Sequence, residues 1–216
     1  MMAAQAMDAK RRAQARVAAQ RTRILQAAEK CFVERGFHAA SMATIAQTAA
    51  MSPGLIYRYF HSKSEIILAI IERQLETARE RIGALHGAND LAASLADSFQ
   101  AAEQDDCEQI SAPLFLEMSA EATRDPQIGA AMHAFDATVR GDLAGVLTRS
   151  RERGGYGLPA PLAEARALML LCLIEGLKVR EAREPGLDRG LLETALADIL
   201  AMLLAPLAPG GADLRP

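Results

Sequence analysis

Four side chains that donate strong hydrogen bonds lie close together between positions 57 and 63. Tyr57, Arg58 and Tyr59 are consecutive, and Lys63 follows four residues later. Phenol, guanidinium and ammonium groups donate well to phosphate oxygens and to the acceptors on base edges. A helix face that meets only water would more commonly carry Glu, Lys or Gln. These residue types therefore indicate noncovalent recognition of a nucleic acid.

The residues around this cluster predict two short helices separated by a tight turn. Ser41 is a suitable N-cap for the first helix, whose apolar side would be formed by Ile45, Ala46 and Ala49. The turn is predicted at the two residues that follow Ala49. The donor-rich cluster would then lie on the second helix.

The second short helix is predicted to start at Ser52 and Pro53. Serine can cap free amides, while proline lacks an N–H and is preset near helical φ. Ile56 and Phe60 lie four residues apart and can be buried together. Their burial would turn the other side chains of this helix toward other faces, namely Pro53, Gly54, Leu55, Tyr57, Arg58 and Tyr59.

Two longer helices are predicted on either side of this pair. The preceding helix runs from about Arg16 to Arg35 and ends in a Schellman-type stop at Gly36 and Phe37. Its inward residues would be Ile24, Ala28, Cys31 and Phe32. After the pair, Ser62 and Glu65 have the spacing of a capping box. The helix that they begin, about Lys63 to Leu85, would connect this region to the rest of the chain.

The segment resembles the N-terminal signature of the TetR family of bacterial one-component repressors, I-A-x-x-A-G-V-S-x-G-x-I/L-Y-x-Y/H-F-x-S/N-K. The matching positions are Ile45-Ala46, Ala49, Ser52, Gly54, Ile56-Tyr57, Tyr59-Phe60 and Ser62-Lys63, with Ala27-Ala28, Phe32 and Gly36-Phe37 upstream. The resemblance covers about the first 70 residues. Ala50 stands where the family usually has a turn glycine, and Met51 where it has valine. An alanine in a left-handed conformation would cost about 1 kcal/mol.

The resemblance implies specific contacts with DNA. It implies a phosphate or base contact for Tyr57 and phosphate contacts for Tyr59 and Lys63. Three further residues would lie near the DNA backbone: Gly54, which allows close approach, Thr44 and Ser52.

Two more contacts follow from side-chain chemistry. Leu55 could touch a thymine methyl group, and Arg58 could read guanine or bind the backbone. Two alternatives remain open for the set. The tyrosines could pack against the first helix, and the Thr44 hydroxyl could serve only its own helix.

Charge is distributed unevenly along the chain. Residues 1–64 contain ten Lys/Arg and three Asp/Glu, a net charge of +7, whereas the remainder contains 14 and 24, a net charge of −10. A basic first quarter joined to an acidic remainder suits a chain of which one end meets a polyanion. We predict that residues 1–15 form a flexible basic arm reaching the DNA backbone or minor groove. A disordered tail with no such role is the alternative.

Composition predicts an all-α protein. The chain has 216 residues, half of them hydrophobic, with few β-branched residues and with alanine and leucine in every periodic stretch. Beyond the first four helices, others are predicted at about Asp90 to Glu103, Cys107 to Thr123, Pro126 to Arg153, Pro161 to Arg183 and Asp188 to Leu207. We expect an N-terminal three-helix helix-turn-helix domain followed by a larger helical domain for ligand binding and dimerisation.

No enzyme chemistry is indicated by the remaining residues. Cys31, Cys107 and Cys172 are widely separated and the four histidines are scattered, so we predict no metal site, no cofactor and no catalytic residues. The longest apolar run, residues 167–174, is shorter than the roughly 20 residues of a spanning helix, and the N-terminus has no signal-peptide core. We therefore expect a cytoplasmic protein without a membrane partner.

The last two predicted helices carry apolar residues on more than one side. In the first of them, one line contains Ala163, Ala167, Leu170, Ile174 and Leu177, and could face its own domain. Other apolar residues of the two helices are predicted to form a four-helix dimer interface: Leu162, Ala165, Met169, Cys172, Gly176, Val179, Leu192, Leu196, Ile199 and Leu203. The alternative is that both helices are simply core. A two-fold dimer would place two recognition helices about 34 Å apart or at a multiple, which predicts a palindromic operator.

By the same resemblance, an effector pocket is expected between the middle helices. The candidate lining residues are Phe99, Phe115, Glu117, Met118, Met132, His133, Phe135 and Met169, although each could be ordinary core. Because the sequence pattern places few polar residues inward, a small, largely apolar effector is predicted. Its binding would spread the recognition helices and lower operator affinity.

These inferences predict a dimeric DNA-binding transcriptional regulator of double-stranded palindromic operators. The predicted domains are an arm at 1–15, the helix-turn-helix domain at 16–64, the effector and dimerisation domain at 65–207, and a tail at 208–216. The alternative is an effector-independent structural or division factor that binds DNA and docks a protein partner through its helical domain.

Overall fold

The computed structural model describes residues 2–85, 91, 111–184 and 186–206, with side chains from residue 10 onward. Within these ranges the chain is helical and contains no strand, which confirms the all-α prediction. The α-helices of the described residues are α1 (Met2–Ala39), α2 (Met42–Thr48), α3 (Pro53–Ile56), α4 (Lys63–Ala84), α5 (Ala112–Ala122), α6 (Pro126–Thr148), α7 (Ala160–Arg183) and α8 (Arg189–Leu204). None of them combines the length and apolarity that a membrane span requires.

The first helix is longer than predicted. It begins at Met2, so residues 2–15 continue α1 and do not form a separate flexible arm. The physical reason is composition, because this stretch is rich in alanine, the residue with the highest helix propensity. The basic residues Lys10, Arg11, Arg12 and Arg16 are exposed along this extension.

The chain packs as two compact units. Unit 1 comprises residues up to 73 together with 113–132, and unit 2 comprises 74–112 and residues from 133 onward. The units differ from the predicted domains, because α4 contributes to unit 1 as far as Arg73 and because α5 packs with unit 1. The reason for the second difference is that carboxylates of α5 and of the turn after it bond to residues of α1 and α4, as described below.

The C-terminal helices begin and end close to the predicted positions. The predicted helix from Pro126 to Arg153 is divided, because α6 ends at Thr148 and a short 3-10 helix, Arg151–Arg153, follows. Gly154 then adopts a left-handed φ of 76°. The predicted helix at Asp90 to Glu103 lies outside the described residues except for Leu91, which is buried in the core of unit 2.

The core of unit 2 is built from one side each of α7 and α8. Ala163 and Ala167 are fully buried and Leu170 is 1% exposed, which confirms that this line of α7 faces its own domain. On α8 the buried line repeats every four residues: Leu192, Leu196, Leu200 and Leu204. Burial of each leucine side chain stabilises the folded state by roughly 1.5–3 kcal/mol.

Two residues of the predicted dimer interface are therefore core residues. Leu192 is 6% exposed and Leu196 is 2% exposed, so neither presents a surface to a second copy. Ile199 and Leu203 are partly buried and pack against the same core. The apolar pattern of α8 was too broad to distinguish its two sides. The large apolar side chains that α8 does expose are Leu191 and Met202.

Candidate nucleic-acid interface

The first helix of the predicted pair is capped as its sequence indicates. Ser41 is in an extended conformation, and the Thr44 amide donates to Ser41 Oγ at 3.1 Å. Ile45 and Ala46 are fully buried. Thr44 Oγ1 lies 2.6 Å from Ser41 Oγ, so its hydroxyl takes part in the cap of its own helix. This favours the local alternative for Thr44, and its contact with DNA stays a prediction.

The turn between α2 and α3 contains the predicted left-handed alanine. Ala50 has a φ of 49°, and the other positive φ angles of the described residues belong to glycines. The turn is closed by the Met51 amide, which donates to Ala46 O at 2.9 Å. Arg23 Nη2 on α1 donates to Ala50 O at 3.4 Å. The departure from the turn glycine is thus accommodated by an unfavourable backbone conformation.

The recognition helix α3 begins at Pro53 as predicted, and its helical turn continues to Phe60. The Tyr59 and Phe60 amides both donate to Ile56 O, at 2.9 and 3.0 Å. Ser52 precedes the helix, but within the described residues its side chain makes no cap hydrogen bond, contrary to expectation. Its carbonyl oxygen accepts from the Leu55 amide at 3.0 Å. The Ser52 side chain is exposed and remains available for a partner.

Burial of two residues sets the orientation of this helix. Ile56 is fully buried and Phe60 is 2% exposed, while Tyr57 is 48% exposed. Pro53, Gly54 and Arg58 are also exposed, and Leu55 and Tyr59 are half-buried. The Tyr57 ring therefore does not pack inside the protein, whereas part of the Tyr59 side chain does.

Gly54 lies on an open part of this surface. A Cβ atom built there would meet no atom of the described chain within 4 Å. Internal packing therefore does not require glycine, and the bare backbone leaves room for a close partner.

Arg21 of α1 contacts the end of the recognition helix through Phe60 and Tyr59. Its guanidinium lies 4.4 Å from the centre of the Phe60 ring, and Nη1 donates to Tyr59 O at 3.4 Å. Cation–π contact and hydrogen bond together fix the end of the helical turn. Arg21 is one of the ten Lys/Arg of residues 1–64, and nothing in the sequence predicted this contact.

Lys63 has an internal role that the sequence did not predict. Its Nζ donates to Phe37 O at 2.6 Å and to His38 O at 3.3 Å, and lies 4.5 Å from the centre of the Phe37 ring. Burial lowers the pKa of Lys63, which the nearby Glu121 carboxylate partly offsets. An ammonium group has three donors, so one remains for the predicted phosphate contact.

Three carboxylates connect α5 and the turn after it to this region. The Phe37 amide donates to Glu117 Oε2 at 2.9 Å, and His38 Nε2 lies 3.3 Å from Glu121 Oε2. Ser64 Oγ donates to Asp125 Oδ2 at 3.2 Å. Glu117 and Glu121 lie four residues apart and so share one side of α5, and Asp125 follows after the same interval in the turn. That spacing was visible in the sequence, but the partners, 61 to 80 residues away for the hydrogen bonds, were not.

The candidate effector residues do not form one set within either unit. Phe115 and Met132 are half-buried and Met118 is buried in unit 1, while Phe135 packs against the core of unit 2. Glu117 is half-buried and accepts from the Phe37 amide, so its place in a pocket stays a prediction. Two predictions need correction: His133 is exposed and Met169 is 55% exposed, because helical periodicity alone did not specify the inward side. Phe99 lies outside the described residues.

Unit 2 contains a pair of acidic side chains that sequence analysis missed. Burial raises the pKa of Asp136 on α6, while His133 and Arg140 lower it. Burial also raises the pKa of Glu175 on α7, and the Asp136 carboxylate raises it further. A positive group near these carboxylates would offset the burial and charge repulsion that raise the pKa of Glu175.

Family models and known proteins match this arrangement. Residues 24–70 match the model described as bacterial regulatory proteins of the tetR family, and residues 88–205 match the BetI-type transcriptional repressor C-terminal model. The chain is 35% identical to the HTH-type transcriptional regulator UidR of Escherichia coli K12 over 139 residues, 62% of this chain and 67% of that protein.

Solved structures of other transcriptional regulators have a similar fold. The structure of Salmonella enterica GusR has 31% identity and a TM-score of 0.70, with coverage of 86% of this chain and 95% of GusR. A transcriptional regulator from Rhodococcus sp. Rha1 has 25% identity and a TM-score of 0.69, with coverage of 91% and 99%.

The fold and the exposed recognition helix define a helix-turn-helix DNA-binding protein. The chain belongs to the TetR family of transcriptional regulators. It is a regulator and not an enzyme, and the family match does not favour the alternative of a structural or division factor.

Proposed function

We propose that this regulator is a dimeric repressor that binds a palindromic operator and is released by a small effector. The observation that carries the proposal is the exposure of Tyr57 beside buried Ile56 and Phe60, because it presents donors of α3 to a major groove. Arg58 and Leu55 supply base contacts, and Tyr59, Lys63, Ser52, Pro53, Gly54 and Thr44 lie along the backbone. Such a repressor acts on chromosomal DNA in the cytoplasm.

Dimerisation is supported by apolar residues left exposed on α7 and α8. Met169 is 55% exposed and Leu168 45%, and Ala165, Cys172 and Gly176 continue the same line along α7. On α8, Leu191 is 62% and Met202 is 66% exposed. Exposed apolar surfaces of this kind mark interfaces between proteins. The partner that fits is a second copy, since a two-fold pair presents two recognition helices to one palindrome.

The effector is proposed to be small and largely apolar, with a polar group. The apolar part is supported by the small number of buried polar side chains among the described residues, which are Gln74, Glu121 and Glu181. Asp136 and Glu175 favour a positively charged group, because the charge repulsion and burial that raise the pKa of Glu175 would both be offset by a cation. The effector would prefer the dimer arrangement that binds DNA poorly, which is the only way in which it can lower operator affinity.

The test of this function starts with genomic DNA. Fragments of the source genome that the full-length protein retains at physiological salt are sequenced, and the protected bases are mapped by footprinting. We expect an inverted repeat with half-sites one duplex turn or a multiple apart. Retained fragments that share no inverted repeat would overturn the proposal.

The effector is tested on the fragment recovered in this way. Uncharged apolar molecules and amphiphiles with a single positive charge are titrated against the complex in mobility-shift assays. Release by the cationic series, reduced in Glu175→Gln, supports the acidic pair as part of the site. Release by neither series would contradict an effector of this chemistry.

A further inference from the structure

The last turn of α1 depends on an acceptor supplied from α5. Gly36 has φ 76° and ψ 159°, which interrupts the helix, and one further turn follows as far as Ala39. The first amides of a new helical turn have no partner within the helix. The Phe37 amide instead donates to Glu117 Oε2 at 2.9 Å, from a residue 80 positions away in sequence. A Schellman-type stop predicted a local acceptor, and the acceptor is not local.

We propose that Glu117 is a positioning residue for DNA recognition, acting as an N-cap from α5 for the turn that leads into the helix-turn-helix. This inference rests on the proposed DNA-binding function of α3. The Glu117 carboxylate lies at this break in the helix. Both of its oxygens are within 4 Å of the position that a Gly36 Cβ would occupy. The left-handed φ of Gly36, and not a lack of space, explains the glycine.

The segment held by Glu117 also holds α4. The carbonyl oxygens of Phe37 and His38 are the acceptors for Lys63 Nζ, at the first residue of α4. The Phe37 ring packs against Phe32 of α1, with 5.3 Å between ring centres. Phe37 and His38 therefore join α1, α4 and α5. Ser41, the N-cap of α2, follows three residues after His38. Because this connection is short, a shift of the segment would move α2 and, through the turn, α3.

Glu117 is distinguished from the two neighbouring carboxylates by its partner. Glu121 pairs with the His38 side chain, which is 70% exposed. Asp125 accepts from Ser64, but its other oxygen accepts from the Gln127 amide at 2.9 Å and so caps α6. Only Glu117 of the three bonds to a main-chain amide of the turn before α2. A displacement of α5 that opened this bond would leave that amide without an acceptor, so the DNA-binding arrangement is conditional on α5.

The experiment uses the full-length protein with Glu117→Ala, Glu117→Gln and the control Glu72→Ala, an exposed glutamate of α4. Amide hydrogen exchange at Phe37, thermal unfolding, and affinity for the operator fragment over a salt series are measured at a temperature where each variant is folded. Glu117→Ala is expected to speed exchange at Phe37 and to weaken operator binding roughly tenfold, the size of a lost cap. The slope of affinity against salt should not change, because no phosphate contact is lost.

Glu117→Gln shows whether Glu117 acts through its hydrogen bond to the Phe37 amide or through its negative charge. Its amide oxygen still accepts a hydrogen bond, so exchange and affinity should stay close to those of the wild type, as in Glu72→Ala. If Glu117→Ala does not fold, Glu117→Asp, which is one methylene shorter, takes its place. The proposal is overturned by wild-type affinity in a variant with fast Phe37 exchange, by slow Phe37 exchange in Glu117→Ala, or by an equal loss of affinity in Glu117→Gln. Wild-type protein that binds no operator, with Phe37 exchange still controlled by Glu117, would reject the proposed function and leave the cap in place.

Discussion

At the scale of single residues, different side chains in and after α3 provide packing and recognition. Ile56 and Phe60 are buried, and Arg21 holds the Phe60 ring from the side of α1. Tyr57, one residue after Ile56, is 48% exposed. Because neighbouring helical residues point about 100° apart, Ile56 can be buried while Tyr57 faces solvent. The recognition side chains can therefore be changed without disturbing the core.

Substitution of Tyr57 should affect DNA binding and not folding. Tyr57→Ala removes a ring and a hydroxyl from the exposed side of α3, and we expect operator affinity to fall roughly tenfold or more. Tyr57→Phe keeps the ring and should lose only the part due to the hydroxyl. Fluorescence anisotropy with the operator fragment gives the affinity, and circular dichroism provides the control for folding. Undiminished affinity in Tyr57→Ala would remove this residue from the interface.

Glu175 should make stability depend on pH. Burial, followed by the Asp136 carboxylate, raises the pKa of Glu175 above its usual 4.5 in the folded protein. The folded state then holds the proton more tightly than the unfolded state, so the stabilisation is complete below pH 4.5 and is lost as pH rises through the raised pKa. Glu175→Gln should unfold at a higher temperature than the wild type at pH 7 and show a weaker pH dependence. Thermal unfolding from pH 4.5 to 7 measures both quantities.

The control for Glu175 lies on the same helix. Glu164 of α7 is exposed, and Glu164→Gln should leave the pH dependence of the unfolding temperature as it is in the wild type. A Glu175→Gln variant that matched this control would show that the acidic pair does not repel in the folded state.

At the scale of elements, the helix-turn-helix is held together from α1. Arg23 donates to Ala50 O in the turn, and Arg21 donates to Tyr59 O at the end of α3. These two residues, two apart on α1, reach two different parts of the motif. The basic charge of α1 therefore has a structural use in addition to its attraction for DNA.

The turn of the motif can be improved by one substitution. Ala50 has a φ of 49°, a conformation that costs an alanine about 1 kcal/mol relative to glycine. Ala50→Gly should raise the free energy of unfolding by up to about 1 kcal/mol, less the extra entropy of glycine in the unfolded chain. Urea denaturation measures the change. Ala137→Gly, at an exposed position inside α6, is the matched control and should lower stability by about 0.5–1 kcal/mol.

At the scale of the whole molecule, the two predicted lines of α7 have different surroundings. Ala163, Ala167 and Leu170 are buried in unit 2, while Met169 and Cys172 are exposed. A helix with apolar residues on both sides, one of them unburied, has free energy to gain from a second copy.

Disruption of that exposed line should produce monomers. Met169→Arg places a charge in the proposed interface, where burial without a partner is strongly unfavourable. We expect sedimentation to show a dimer for the wild type and a monomer for Met169→Arg, with operator affinity reduced at least tenfold because two half-sites are no longer bound together. Val33→Arg, at a 41% exposed position of α1, should remain dimeric. A dimeric Met169→Arg would place the interface elsewhere.

The sequence by itself determined the features that depend on neighbours along the chain. The positions of most helices, the Ser41 cap, the start of α3 at Pro53, the burial of Ile56 with Phe60 and the left-handed Ala50 were predictable, because propensity, periodicity and turn conformation act over a few residues. The family resemblance was carried by the same local signals.

Only the tertiary structure decided which partners meet across long separations. The bond between Glu117 and the Phe37 amide, the use of Lys63 by the carbonyl groups of α1, and the burial of Leu192 and Leu196 all result from packing. A helical repeat shows which side chains share a side, but the choice of the buried side depends on the elements that cover it. Residues that bond across 80 positions leave no periodic signal, since nothing in their local sequence records the acceptor they meet on folding.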